Sequence, residues 1–288
     1  MYPTGFKSFI IILAVMHFFA GNHVLAQNTL TMQPYYEVAG EGTDIWAAGD
    51  SFIVPKGSLK HESEVLLEAF PNIRKIFLVW SGEVKDDKER FQQILLTPVG
   101  KKTVRVKADA AYRSGSSGLI YSCVADITPH YNGRGYYSIK GLKSDALNRS
   151  TKSELYSVAG FAIVVVYDKL QEVNHRVQIY AGLDVLRPGE IHDISILNKG
   201  SGRSLIKMAV VGGHGRKGNG SSNLLNGTSI SQSEDWDGSS GHYWDVDVFE
   251  TIDLDRTEAE KKGLIFSIDT VLQWLYPVVI ATVYKEGN

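Results

Sequence analysis

From residue 159 to 168 the chain reads Ala-Gly-Phe-Ala-Ile-Val-Val-Val-Tyr-Asp, with no charge before its last residue. Side chains of a strand alternate between its two faces, so an unbroken apolar run predicts a strand buried on both. The run is too short to cross a bilayer. Residues 102–107 differ: Val104 and Val106 alternate with Thr103, Arg105 and Lys107. That pattern predicts a half-exposed strand near a sheet edge or on an outer face. Further β-type runs lie at 73–80, 94–97, 121–128, 136–142, 161–167, 176–180, 191–197, 205–211, 243–249, 263–268 and 277–284. Between them sit the turn pairs Asn132-Gly133, Pro188-Gly189, Asn226-Gly227 and Asp237-Gly238.

Many short strands with almost no 3.6-residue periodicity predict an all-β fold, an antiparallel β-sandwich or jelly roll. Only 256–262, with Thr257 as its cap, and 86–91 are candidate short helices. The length allows one large β domain or two packed β subdomains with a boundary near 184–192.

Residues 1–26 read as an export signal: Lys7, an apolar core at 9–20, and Val24-Leu25-Ala26 as a small-residue cleavage site. The expectation is a bacterial protein that is secreted, extracellular or at the cell surface, or held in a periplasm, comprising 27–288 with no transmembrane segment after cleavage. Cys123 is the single cysteine, so no internal disulfide can form and core burial must stabilise the fold. Its apolar surroundings predict a buried strand thiol. The formal net charge of −2, without a basic stripe, excludes a nucleic-acid partner.

Nucleophile, zinc and phosphate-loop spacings are absent. Residues 214–222 hold Gly215, Gly218 and Gly220 among polar residues and predict a surface loop. Acids and aromatics concentrate further on. In Tyr243-Trp244-Asp245-Val246-Asp247-Val248-Phe249 the alternation sets Asp245 and Asp247 on one face, about 7 Å apart. Asp235 and Asp237 precede them in a turn. These four carboxylates are candidate ligands for a structural calcium ion, which takes six to eight oxygens; otherwise no cofactor is expected. Trp236, Tyr243, Trp244, Trp274 and Tyr276 are candidates for a flat ligand-binding surface, since exposed rings suit sugars or protein partners.

Several runs together resemble a known family. Lys75-Ile76-Phe77-Leu78-Val79-Trp80-Ser81-Gly82, Ala125-Asp126-Ile127-Thr128 and Gly135-Tyr136-Tyr137-Ser138-Ile139 lead into the 159–168 run. Arg176-Val177-Gln178-Ile179-Tyr180-Ala181-Gly182, Leu225-Asn226-Gly227-Thr228 and 243–249 follow in order. The succession is similar to a domain of unknown function in large bacterial and archaeal surface proteins. Phe161 stands where that family usually has Trp. The resemblance implies an extracellular β-sandwich serving surface architecture or adhesion, with no established catalytic residues. The family's downstream immunoglobulin-like repeats are not seen before Asn288, so a stand-alone secreted protein or a subunit of a larger assembly is expected.

The combined expectation is a secreted, non-catalytic β-sandwich protein with a structural, adhesive or ligand-binding role, its partner a surface or extracellular protein or a glycan. The alternative is an exported glycan hydrolase using Asp245, Asp247 or Glu250, which requires two carboxyl groups opposed across a cleft.

Overall fold

The computed structural model describes residues 32–55, 58–84, 90–114, 120–145, 158–195, 204–231, 234–250 and 264–286. The expected export signal and the candidate helix at 256–262 lie outside these residues, as does most of the one at 86–91. Among the described residues there is no α-helix; strands dominate and every strand pairing is antiparallel. No helix there is long and apolar enough to cross a membrane.

Four sheets stack face to face. Sheet I contains β5 (Glu62–Leu67), β11 (Gly135–Lys140), β7 (Gln93–Thr97) and β8 (Val104–Lys107), in that order. Sheet II runs β2 (Thr43–Ser51), β12 (Ala159–Asp168), β6 (Ile73–Glu83), β10 (Ile120–Asp126), β9 (Ala110–Arg113). Sheet III runs β1 (Gln33–Glu41), β13 (Asn174–Ala181), β20 (Tyr276–Lys285), β15 (Ser204–Gly213), β18 (Trp244–Glu250). Sheet IV runs β14 (Glu190–Ser195), β19 (Ile265–Thr270), β16 (Ser222–Leu225), β17 (Thr228–Ser229). A small ribbon pairs β3 (Ile53–Val54) with β4 (Ser58–Leu59).

The three cores between these layers follow from strand alternation. Ile76, Leu78 and Trp80 of β6 face sheet I and meet Leu67, Leu96 and Ile139. Phe77 and Val79 face the other way, against Val177, Ile179, Val279 and Ala281 of sheet III. The outer side of sheet III, with Tyr180, Met208, Val210 and Ile280, packs on Phe266, Ile268 and Leu225 of sheet IV. β12 is the clearest case. Phe161, Ile163 and Val165 serve the first core and Ala162, Val164 and Val166 the second. The long apolar run is therefore a strand buried on both faces, in the middle of sheet II between β2 and β6.

Two sandwiches thus lie back to back, sheets I and II against sheets III and IV. The chain passes from the first pair to the second at 169–173, after β12. Residues 184–192 lie further on, where the chain leaves β13 for β14 and crosses from sheet III to sheet IV. β1 binds the pairs topologically, since it precedes β2 yet joins the edge of sheet III beside β13. β8 pairs only with β7 and so is a sheet edge, as its alternation predicts.

Predicted turns have the expected chemistry. Asn226 and Gly227 both have positive φ, 49° and 80°, which a two-residue β-hairpin of the mirror-image type requires. Tyr137 closes the Asn132-Gly133 turn by accepting a hydrogen bond from the Asn132 N–H (2.7 Å) and donating to the Gly133 carbonyl (3.0 Å). Cys123 is fully buried in β10, and burial pushes its thiol well above its usual pKa.

Candidate functional site

The acidic and aromatic segment 234–250 lies at one end of sheet III, where it meets sheet II. Its aromatic rings enter the core through gaps left by glycines. A Cβ on Gly160 would overlap the Trp244 ring, and one on Gly212 would lie 2.6 Å from Trp236 Cζ3. Trp244 thereby packs against β12 across the sheet II–III interface, in the core that holds Val164 and Ala209. Trp236 joins the core between sheets III and IV, and its indole N–H donates to Asn223 Oδ1 at 3.0 Å.

This corrects the expected aromatic surface. Trp236, Trp244 and Tyr276 are 1%, 0% and 0% exposed and present no face to a ligand. Tyr243 and Trp274 are half-buried. Tyr243 stacks on His214, with ring centroids 5.3 Å apart and planes 11° apart. The Arg187 guanidinium sits 5.8 Å over the Trp274 ring. His214 Nδ1–H donates to the Trp274 carbonyl at 2.8 Å, so one imidazole links the Tyr243 ring to the Trp274 backbone.

Backbone strain collects at the same place. His214 and Tyr243 have φ of 75° and 60°, a region that non-glycine residues enter at a cost of about 1–3 kcal/mol each. They are held there by the His214 N–H bond to the Tyr243 carbonyl, 2.8 Å. One residue earlier, the His242 carbonyl accepts from Ser51 Oγ at 2.6 Å, fastening the segment to the end of β2 in sheet II.

The loop 214–222 is not the free surface loop its glycines suggest. Asn219 is 1% exposed, and its amide donates to the carbonyls of Arg216 (2.8 Å) and Trp236. Asn219 Oδ1 accepts from the Ser221 N–H at 2.5 Å. A buried Asn satisfying three backbone groups fixes a loop that has no apolar anchor of its own. Gly215 is required for another reason: a Cβ there would overlap the Asp245 carboxylate.

The four carboxylates occupy one neighbourhood. Asp245 Oδ1 accepts from the N–H groups of Gly238 (2.6 Å) and Ser239 (3.2 Å). Asp247 accepts from the Ser239 hydroxyl at 3.3 Å, so Asp245 and Asp247 share a face as their spacing predicts. Asp235 Oδ2 accepts from the Asn223 N–H at 2.5 Å. Burial pushes Asp245 well above the usual carboxylate range; Asp247 and Asp237 add to this, and the two turn N–H groups oppose it. Burial, then repulsion from Asp235 and Asp237, raises Asp247 to about 7. Asp235 is raised too, mainly by burial. Repulsion from Asp237 contributes to the rise in all three. Among the described residues, no three or more His, Cys, Asp or Glu side chains form a group that could hold a metal ion.

The three carboxylates considered for glycan cleavage are placed differently from one another. Asp245 and Asp247 project from one strand, and Glu250 is tied to Lys207 at 2.8 Å. A separate open groove lies at the opposite ends of β2 and β12, lined by residues that include Glu41, Asn72, Arg74 and Asp168. There Arg74 Nε grips both oxygens of Asp168, at 3.0 and 2.8 Å.

Sequence reasoning missed the partners of this segment. Gly160, Gly212, Gly215, Asn219 and Ser51 build it as much as its own acids and rings do. The only prior sign was the placing of glycines inside β runs, which marks close approach of another group. No protein-family model matches the chain, and no curated protein matches it.

Proposed function

We propose that this is a secreted, non-catalytic β-sandwich protein with a structural, adhesive or ligand-binding role at or outside the cell surface. The observation that carries the reading is the use made of the 234–250 carboxylates. Asp245 is 1% exposed and bonded to turn N–H groups. A glycosidase needs its two carboxyl groups opposed across a cleft. Asp245 and Asp247 instead stand two residues apart on β18, and Glu250 is paired with Lys207. The signal-like N-terminus and the ordered resemblance to surface-protein domains support export.

Any adhesive contact in this region falls to the half-exposed rings, Tyr243 and Trp274, with Arg187 beside the second. The test is binding of the full chain to arrays of glycans and extracellular matrix proteins, alongside hydrolysis assays on the same glycans. The proposal expects saturable binding that weakens at least tenfold in Trp274→Ala, with no turnover. Glycan turnover lost in Asp247→Asn would overturn it in favour of the hydrolase.

A further inference from the structure

We propose that the turn carrying Asp237 and the adjoining Asp245 bind a hard divalent cation of the calcium class. Two buried, unpartnered carboxyl oxygens make the case. Asp245 is 1% exposed, and its Oδ2 has no hydrogen-bond partner among the described residues. Its Oδ1 is held by the Gly238 and Ser239 N–H groups that directly follow Asp237, which sets the carboxylate against the turn with Oδ2 beside the Gly215 backbone. Asp237 Oδ1, in that turn, is also buried and unpartnered. A buried carboxylate oxygen without a donor is a costly feature, and native proteins resolve such groups with a water or an ion.

The surroundings select an ion. Asp235 and Asp247 complete a group of four acids that repel one another, with Asp237 acting on each of the other three. Two direct carboxylate oxygens, rather than three, define the site. Water and turn carbonyls then fill the shell, an arrangement calcium accepts because it takes six to eight oxygens in irregular geometry. Magnesium demands a near-ideal octahedron and suits the site less. The cation would neutralise the turn and lock segment 234–250 onto β2 and β12.

The test is thermal unfolding of the full chain at pH 7.5 in EDTA and with 5 mM calcium or magnesium chloride at matched ionic strength. Extracellular calcium modules bind with Kd of about 10⁻⁴–10⁻³ M, so calcium should raise Tm by roughly 2–8 °C. Asp237 is half-buried, so Asp237→Asn should fold, keep its Tm in EDTA and lose the calcium shift. Asp245→Asn should lose the shift as well. No calcium shift in the natural chain, an equal shift with magnesium, or a shift retained in Asp237→Asn overturns the proposal.

Discussion

Glycine at 160 and tryptophan at 244 are one feature seen from two sheets. A Cβ at Gly160 would overlap the indole, while the ring itself is fully buried. Gly160→Ala therefore overpacks the sheet II–III interface and should destabilise the protein by about 1–3 kcal/mol. Trp244→Ala empties the same space and should cost about 3–5 kcal/mol. Since both act on one contact, the double variant should be less destabilised than the sum of the singles by at least 0.5–1 kcal/mol, on the order expected for touching residues. Denaturant unfolding of the four proteins measures this. Strict additivity would place the indole elsewhere.

For the elements, the sequence was most legible where a strand's own composition decides its fate. β12 and β8 were readable, the first as a strand buried on both faces and the second as an edge. β2 was not. Its run Thr43-Asp44-Ile45-Trp46-Ala47-Ala48-Gly49-Asp50-Ser51 has small and acidic residues that disfavour strands. It is a strand because β12 pairs with it along its length. β1 is a similar case, an exposed edge held by β13. The site shows the same division. Alternation revealed that Asp245 and Asp247 share a face, but not that a facing glycine would draw Trp244 into the core. At the head of β1, Asp184 accepts a hydrogen bond from the Met32 backbone, yet burial lifts its carboxyl to about 6. A carboxyl raised above its unfolded pKa of 3.8 binds protons more readily in the folded state. Its stabilisation is full below about pH 4 and is lost as pH rises through about 6. The pH 4-to-7 loss in unfolding free energy should therefore shrink in Asp184→Asn by up to about 3 kcal/mol. An unchanged pH profile in that variant would rule Asp184 out as the source.

Across the whole molecule, the two sandwiches are joined by more than one contact. The sheet II–III core, the β1 crossover and the 234–250 segment all cross the same boundary. Lys207 of β15 adds a half-screened link, lying 3.5 Å from Asp44 of β2 and 2.8 Å from Glu250. Sheets I to IV should therefore unfold as one interlocked unit, with segment 234–250 as a fastening between them. Native-state hydrogen exchange tests this most directly, comparing core amides of β12 in sheet II with those of β20 in sheet III. An interlocked fold should give equal opening free energies for the two strands, falling together in Trp244→Ala. Exchange of β20 at a distinctly lower free energy, with β12 still protected, would contradict it.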